Sequence, residues 1–409
     1  MKRAFFQALV LFALLGITWL FVVLRFCSDE ARPVEPPPPV EETLPPVLDD
    51  DLPDEGLEEP PMDDAVPEPG LESADAASQK ALRTDAGRAV LAAADALAES
   101  PSQAHAAGIL RDLRAGLEAL PPGEAAAAIM AFMETGRDAR TRLPFAVGRG
   151  GRLETAPSLR VFLLDELGSL DASAAARIAE RGFEETTSAD EYALHLRNFA
   201  WGSDLPSVER IARVRERAIE LTQRSSWREA PTDGFAEAYD ALVYTNATEV
   251  TQRLARDTDR SLPGNIRRPS NLALDRLVIA APEETLPQIL EDMEGMSDQP
   301  YTRAGYFARA DLRDPAHREI VESYLLSDAV GSAERAYFFD LFPNHNFHHS
   351  RNLLSENQYP SHEEIVERLR GALERTHEWL EDEHFAAYTD DIARARQRLG
   401  ETLGETPEP

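Results

Sequence analysis

The chain has 409 residues and a formal net charge of −31, with 43% hydrophobic residues, 28% charged residues and a single cysteine. This length allows two or three domains, and the composition excludes both a polytopic membrane protein and a wholly disordered chain. The acidity argues against a nucleic-acid-binding protein, which needs a basic face to neutralise phosphates. One cysteine excludes a disulfide framework and a zinc site built from cysteines.

The N-terminal segment predicts a single transmembrane helix. Residues 4–24 carry no charge, and a helix of this length spans roughly 30 Å, the hydrocarbon thickness of a bilayer. Two basic residues precede the stretch, so we expect residues 1–28 to form an uncleaved signal anchor with the N-terminus inside. A cleaved signal peptide or a lipoprotein site at Cys27 is the alternative, but Arg25 and Phe26 stand where both need small residues.

The next segment, 29–77, predicts a disordered linker. It is dense in Asp, Glu and Pro, and residues 36–39 are four consecutive prolines. Proline blocks helices and internal strands, like charges repel and extend the chain, and the apolar surface is too small to offset the entropy of ordering. A recognition motif for a proline-binding partner is the alternative interpretation.

From residue 78 onwards, the chain has the period of amphipathic helices and almost no strand signal, which predicts an all-α body. In 207–222, for example, Val208, Ile211 and Ala218 share one face. Ser361 with Glu364 predicts a capping box at a helix start. The predicted helices cover 78–99, 102–119, 122–135, 155–169, 172–183, 188–201, 205–223, 233–244, 246–258, 269–281, 283–294, 298–310, 315–327, 332–341, 361–382 and 385–399.

One pair of predicted helices resembles a HEAT-type repeat. An amphipathic segment at 302–310 is followed by Asp311-Leu312-Arg313-Asp314-Pro315 and a second amphipathic segment, and 269–294 shows a weaker version of the pattern. In HEAT-like proteins an Asp-Pro turn joins the two helices of a unit. The resemblance covers 150–330 and implies an array of antiparallel helix pairs with an extended surface for protein partners and no catalytic chemistry. An irregular helical bundle is the alternative.

These features divide the chain into segments. After the anchor and the linker, they predict N-terminal helical hairpins at 78–136 and a Gly/Arg-rich connector at 137–154. HEAT-like repeats are expected at 155–342, and C-terminal helices with a short tail at 343–409.

A histidine cluster is the first candidate site. His345, His348 and His349 fall in a turn rich in Asn and Pro, and imidazole is a common metal ligand. His345 and His349 have the i, i+4 spacing of helical zinc motifs, but the Glu that follows the first His in those motifs is missing. Turn histidines that pack with Phe342 and Phe347 are the simpler interpretation, so we predict neither a metal site nor a cofactor.

An arginine cluster is the second candidate. Three glycines are interleaved with five arginines that lie close together in the sequence. Guanidinium groups and glycine backbone N–H groups suit the docking of an anion or an acidic partner. The segment lacks the lysine of a P-loop, and a flexible hinge between two helical parts is the simpler interpretation. The cluster consists of Arg137, Arg140, Arg142, Arg149 and Arg152.

The function predicted from these features is that of a scaffold or protein-binding module held in a membrane. The chain uses arginine almost to the exclusion of lysine and is rich in alanine, which is typical of a GC-rich bacterial genome. We therefore expect the anchor to lie in the cytoplasmic membrane through 4–24, and the body to lie in the periplasm.

Two alternatives stay open. One is an α-helical envelope hydrolase or lyase, which a deep pocket with converging carboxylates and histidine would indicate. The other is an accessory subunit of an envelope complex, which an exposed apolar patch would indicate.

Overall fold

The computed structural model describes residues 71–100, 102–345, 352–357 and 359–404. These residues form a body built almost entirely of helices within one unit, Pro67–Pro409, which confirms the all-α part of the predicted fold class. The predicted anchor, the first part of the predicted linker and a second unit, Met1–Val66, lie outside the described residues. Among the helices that the structure describes, none has both the length and the apolar character needed to cross a bilayer.

The N-terminal helices differ from the prediction at two points. The first helix begins at Leu71, within the range predicted as linker. The predicted helix 78–99 is broken at Thr84, whose hydroxyl accepts a hydrogen bond from Gly87 N at 3.1 Å and so begins a new helix. A Cβ atom on Gly87 would lie 2.4 Å from Ala81 O, so glycine permits this close turn. The four helices are α1 (Leu71–Leu82), α2 (Asp85–Ala98), α3 (Gln103–Glu118) and α4 (Pro122–Glu134).

The Gly/Arg-rich connector folds into a small hairpin. Strands β1 (Ala146–Val147) and β2 (Leu153–Thr155) pair antiparallel across a 3₁₀ turn at Arg149–Gly151. The hairpin is anchored because Val147 and Leu153 are buried in the core. Strands this short leave no alternating pattern in the sequence, so the prediction missed them.

The central helices follow one another with short connections, and most of them coincide with predicted segments. The predicted segments 233–244 and 246–258 are the exceptions, because each is divided into shorter pieces. The helices are α5 (Leu159–Leu170), α6 (Ala172–Glu185), α7 (Ala189–Gly202), α8 (Ser207–Gln223), α9 (Ser225–Glu229), α10 (Asp233–Glu237), α11 (Asp240–Tyr244), α12 (Thr251–Arg256), α13 (Gly264–Ala280), α14 (Pro282–Glu291), α15 (Pro300–Phe307), α16 (Pro315–Leu326) and α17 (Ser332–Leu341).

Packing in the body is local in the sequence. The extensive helix contacts join helices that are at most three positions apart in chain order. Ion pairs between helices are local in the same way, since several join residues that are 31 to 36 positions apart in the sequence. The pairs are Arg160–Glu191, Arg197–Asp165, Arg217–Glu184, Arg276–Asp240 and Arg303–Glu334.

The C-terminal helices close the described part of the body. Helix α18 (His362–Glu381) begins with the predicted capping box, in which Ser361 and Glu364 exchange hydrogen bonds, so that prediction is confirmed. Helix α19 (Thr389–Leu403) packs against α17 and α18. Trp379 of α18 is buried among aromatic rings and donates its indole N–H to Glu322 at 2.9 Å.

Candidate functional site: a groove that holds a segment of the same chain

A short non-helical segment, Asn352 to Asn357, lies against helices that precede it by 79 to 115 residues at the bonded positions. We call residues 352–357 the strap. Its Leu353 is fully buried, and the chain bends at Leu353 and Leu354. Two successive strap amides, Leu354 N and Ser355 N, donate to Asp240 Oδ2 at 2.6 and 2.8 Å. These bonds span 114 and 115 residues, in a body whose other contacts are mostly local.

The carboxylate that receives the strap is positioned by a helix break. Asp240 is the first residue of α11, and its side chain is 7% exposed. Arg276 of α13 balances this buried charge, because its Nη1 donates to Asp240 Oδ1 at 2.6 Å. The same guanidinium reaches the strap through Ser355 Oγ at 2.5 Å, and Ser355 Oγ also donates to Asp240. One ion pair therefore binds the amides and the hydroxyl of the strap together.

The strap also lies against the hairpin turn. Gly151 has φ +77°, and a Cβ atom there would lie 2.4 Å from Leu353 O, so only glycine lets the turn approach the strap this closely. The ring of Trp201, near the end of α7, would lie 3.1 Å from the same Cβ atom. The seat of the strap, which we call the strap groove, therefore consists of Gly151, Trp201, Asp240 and Arg276.

A buried arginine holds this hairpin turn in place. Arg197 and Asp165 are both fully buried and form an ion pair at 2.5 Å. Arg197 Nη1 also donates to Gly151 O at 2.9 Å, and its guanidinium lies over the ring of Trp201, 4.4 Å from the centroid. A charge-assisted bond to a buried carbonyl fixes direction as well as distance. The bond from Arg197 thus holds the hairpin turn in the position in which it approaches Leu353.

Two cavities border the strap. One of about 720 Å³ is lined by Arg149, Trp201 and the strap. Another of about 400 Å³ is lined by Tyr244 and Ile279 together with the strap. The strap therefore fills only part of the surface over which it lies.

A third, smaller cavity of about 210 Å³ adjoins the Asp240–Arg276 ion pair and is lined by Glu237. Burial raises the pKa of Glu237 to about 7, and the nearby carboxylates of Asp240 and Asp233 add to this shift. A carboxyl group next to the strap groove therefore changes charge near neutral pH.

The five arginines of the connector do not converge on one site. Arg137 pairs with Asp95 at 2.6 Å, and Arg152 pairs with the buried Glu166 at 3.3 Å. Of the five, Arg149 is the one that lines a cavity beside the strap. Two others, Arg140 and Arg142, line a separate cavity of about 490 Å³. Strands β1 and β2 of the connector form the hairpin whose turn contacts the strap.

The histidine cluster is described only at its first member. His345 is half-buried, and burial lowers its pKa with help from the nearby Arg368 and Arg309. His348 and His349 lie outside the described residues. A different group, Glu283, Asp314 and His317, brings possible metal-ligand atoms within 4.8 Å of one another. Its two carboxylates are exposed, and Asp314 already caps α16 by accepting from Ala316 N at 2.8 Å.

A cavity of about 600 Å³ near the start of α7 gathers the groups that would indicate an enzyme, among them Glu185, Glu191 and His195. However, Glu191 receives a two-pronged bond from Arg160, at 2.8 and 3.1 Å. Burial lowers the pKa of His195 to about 3, and Arg160 adds to the shift, so the imidazole is neutral at physiological pH. This arrangement resembles a structural ion pair beside a core histidine more than an acid–base pair.

The sequence analysis did not single out Asp240, Arg276 or the strap. A signal was present, since Asp240 stands within the apolar stretch 238–243, where a charged residue needs a buried partner. Nothing in the sequence identifies that partner. Comparisons with family models, with curated proteins and with solved structures each gave no match to this chain.

Proposed function

We propose that this protein is a membrane-anchored, HEAT-like helical scaffold whose strap groove binds a short non-helical segment of a protein partner in the periplasm. The observation that carries this proposal is the strap itself. The groove holds a peptide by its main-chain amides and one buried leucine, and in extended-peptide recognition the main-chain bonds supply affinity while the side-chain pockets supply specificity. The strap therefore serves as an example of the kind of ligand that fits.

The HEAT-like part of the proposal is supported by the local packing. Helices contact near neighbours in chain order, and ion pairs recur at separations of 31 to 36 residues. This separation is close to one helix-pair unit of a repeat array. The turn Asp311–Asp314, which lies between α15 and α16, stands where the resemblance places the turn inside a unit.

The membrane and periplasmic parts rest on the sequence of residues 1–28. The uncharged stretch 4–24 has the length of a membrane span, and the positive residues before it favour an inside N-terminus. An enzyme is the alternative, and it draws on the cavity at His195. The pairing of Glu191 with Arg160 and the low pKa of His195 make that cavity a poor acid–base site.

Site-specific photocrosslinking in cells tests the proposal. A photoreactive amino acid replaces Trp201, which is 38% exposed at the rim of the groove, and in a matched control it replaces Val208, which is 78% exposed on α8. We expect one discrete crosslinked protein from position 201 and none from position 208, with the crosslink mapping to a non-helical segment of the partner. Equal crosslinking at the two positions, or none at position 201, would contradict the proposal.

A further inference from the structure

The strap groove has features of a binding site that a segment of the same chain occupies and for which an external peptide can compete. The helices that form the groove contact near neighbours in chain order. The strap contributes one fully buried side chain, Leu353, while Glu356 is exposed. The groove is thus built by the array, and the strap is laid onto it.

The contacts define which peptides fit. Leu353 occupies the buried position, the next residue contributes its amide, and Ser355 contributes both an amide and a hydroxyl to the Asp240–Arg276 pair. The groove therefore selects peptides in which a leucine is followed two residues later by a residue with a hydroxyl side chain. The residue between them, Leu354, contributes its backbone amide to Asp240 and a half-buried side chain that packs against the core.

The space beside the strap favours a longer ligand. The cavities of about 720 and 400 Å³ border both the strap and the groove, so a segment longer than the strap gains contacts that the strap does not make. Because the strap is tethered to the same chain, it competes at a high effective concentration. The apparent dissociation constant of an external peptide equals its intrinsic value divided by the fraction of molecules in which the groove is empty.

We infer that the strap is a displaceable internal ligand of the groove, and that the partner presents a non-helical Leu-x-Ser or Leu-x-Thr segment that replaces it. This inference rests on the proposed function and names the chemistry of the partner. It makes the strap an autoinhibitory element, since the groove receives the partner only when the strap leaves.

A labelled peptide with the sequence of residues 352–357 tests this inference on the full-length chain in mild detergent, by fluorescence anisotropy. Leu353→Asp removes the buried anchor of the strap, and Leu353→Ala is the milder second variant, to be used if the first does not fold. Glu356→Gln is the matched control, because Glu356 belongs to the strap but is exposed. Circular dichroism verifies the folding of each variant.

We expect the two Leu353 variants to bind the peptide at least about tenfold more tightly than the wild type and Glu356→Gln, because a strap that occupies the groove nine-tenths of the time weakens binding by that factor. Adding Asp240→Ala to the Leu353→Ala variant should abolish the gain. Equal binding by wild type and variants, binding by none of them, or binding that survives Asp240→Ala would overturn the inference.

The peptide measurement does not require the partner protein, so the displaceable strap and the proposed function are tested by separate measurements. A partner crosslinked at Trp201, together with no peptide binding by the Leu353 variants, would overturn the displaceable strap and leave the binding module standing. Peptide binding without any crosslinked partner would overturn the proposed function instead.

Discussion

Replacing Arg197 by methionine should cost more stability than any surface substitution, because it leaves a buried charge without its main partner. Asp165 and Arg197 are both fully buried and 2.5 Å apart. In the variant, Asp165 keeps the amide of Leu153 at 3.1 Å and a distant Arg114 at 3.5 Å. Breaking a buried ion pair from one side costs about 3–5 kcal/mol, against a typical total of about 5–15 kcal/mol.

The assay is urea denaturation of the full-length chain in mild detergent, followed by circular dichroism at 222 nm. The control is Arg88→Met, which breaks an exposed pair with Asp85 whose side chains are 63% and 83% exposed, and which should change nothing measurable. Arg197→Met combined with Asp165→Asn should recover part of the loss, because the uncompensated charge is gone. If Arg197→Met costs less than about 1 kcal/mol, or costs no more than the double variant, the argument from burial is refuted.

Three further predictions concern Glu237, the anchor and the linker. The pKa of Glu237 is raised from 4.5 to about 7, so the stability that this group contributes is complete below pH 4.5 and is lost as the pH rises through 7. In urea denaturation at pH 8, Glu237→Gln should therefore be more stable than the wild type. At pH 4 the variant should have no such advantage. The chain should stay in membrane pellets after a high-salt wash, since burial of 4–24 in lipid does not respond to ionic strength, and a soluble form that begins beyond Cys27 would contradict the anchor. Limited proteolysis should cut first within 29–70 and leave a resistant fragment that starts near Leu71, whereas a first cut inside 155–342 would contradict the predicted linker.

The helices were largely predictable because their determinants are local. Apolar stripes, capping residues and prolines each act within a few positions, and the capping box at Ser361 was predicted residue by residue. The misses also have local causes. Thr84 competes for the helix backbone and begins a new helix inside a continuous apolar stripe. The hairpin strands at 146–147 and 153–155 are too short to have a period.

The functional geometry was not predictable, because it depends on long-range contacts. The segment 233–244 was predicted as one helix, and the structure ends α10 at Glu237 and begins α11 at Asp240. That break places the Asp240 carboxylate where two strap amides reach it, across 114 residues of chain. The apolar pattern continues through the break, so the sequence alone favours a single helix. The strap itself has no periodic pattern and was included in a C-terminal region without a role.

The buried ion pairs also explain how a body rich in alanine keeps a defined groove. Alanine faces are smooth, and helices that pack through them can slide with little loss of contact. A buried pair adds little net stability, since desolvation offsets much of the attraction, but it strongly disfavours any register that separates its members. Two of these pairs contact the groove or the strap directly, because Arg197 of the Arg197–Asp165 pair donates to Gly151 O and Arg276 of the Arg276–Asp240 pair donates to Ser355 Oγ. Two of the pairs that fix the helix register therefore also shape the strap groove, so a loss of register in this region should release the strap before it unfolds the helices.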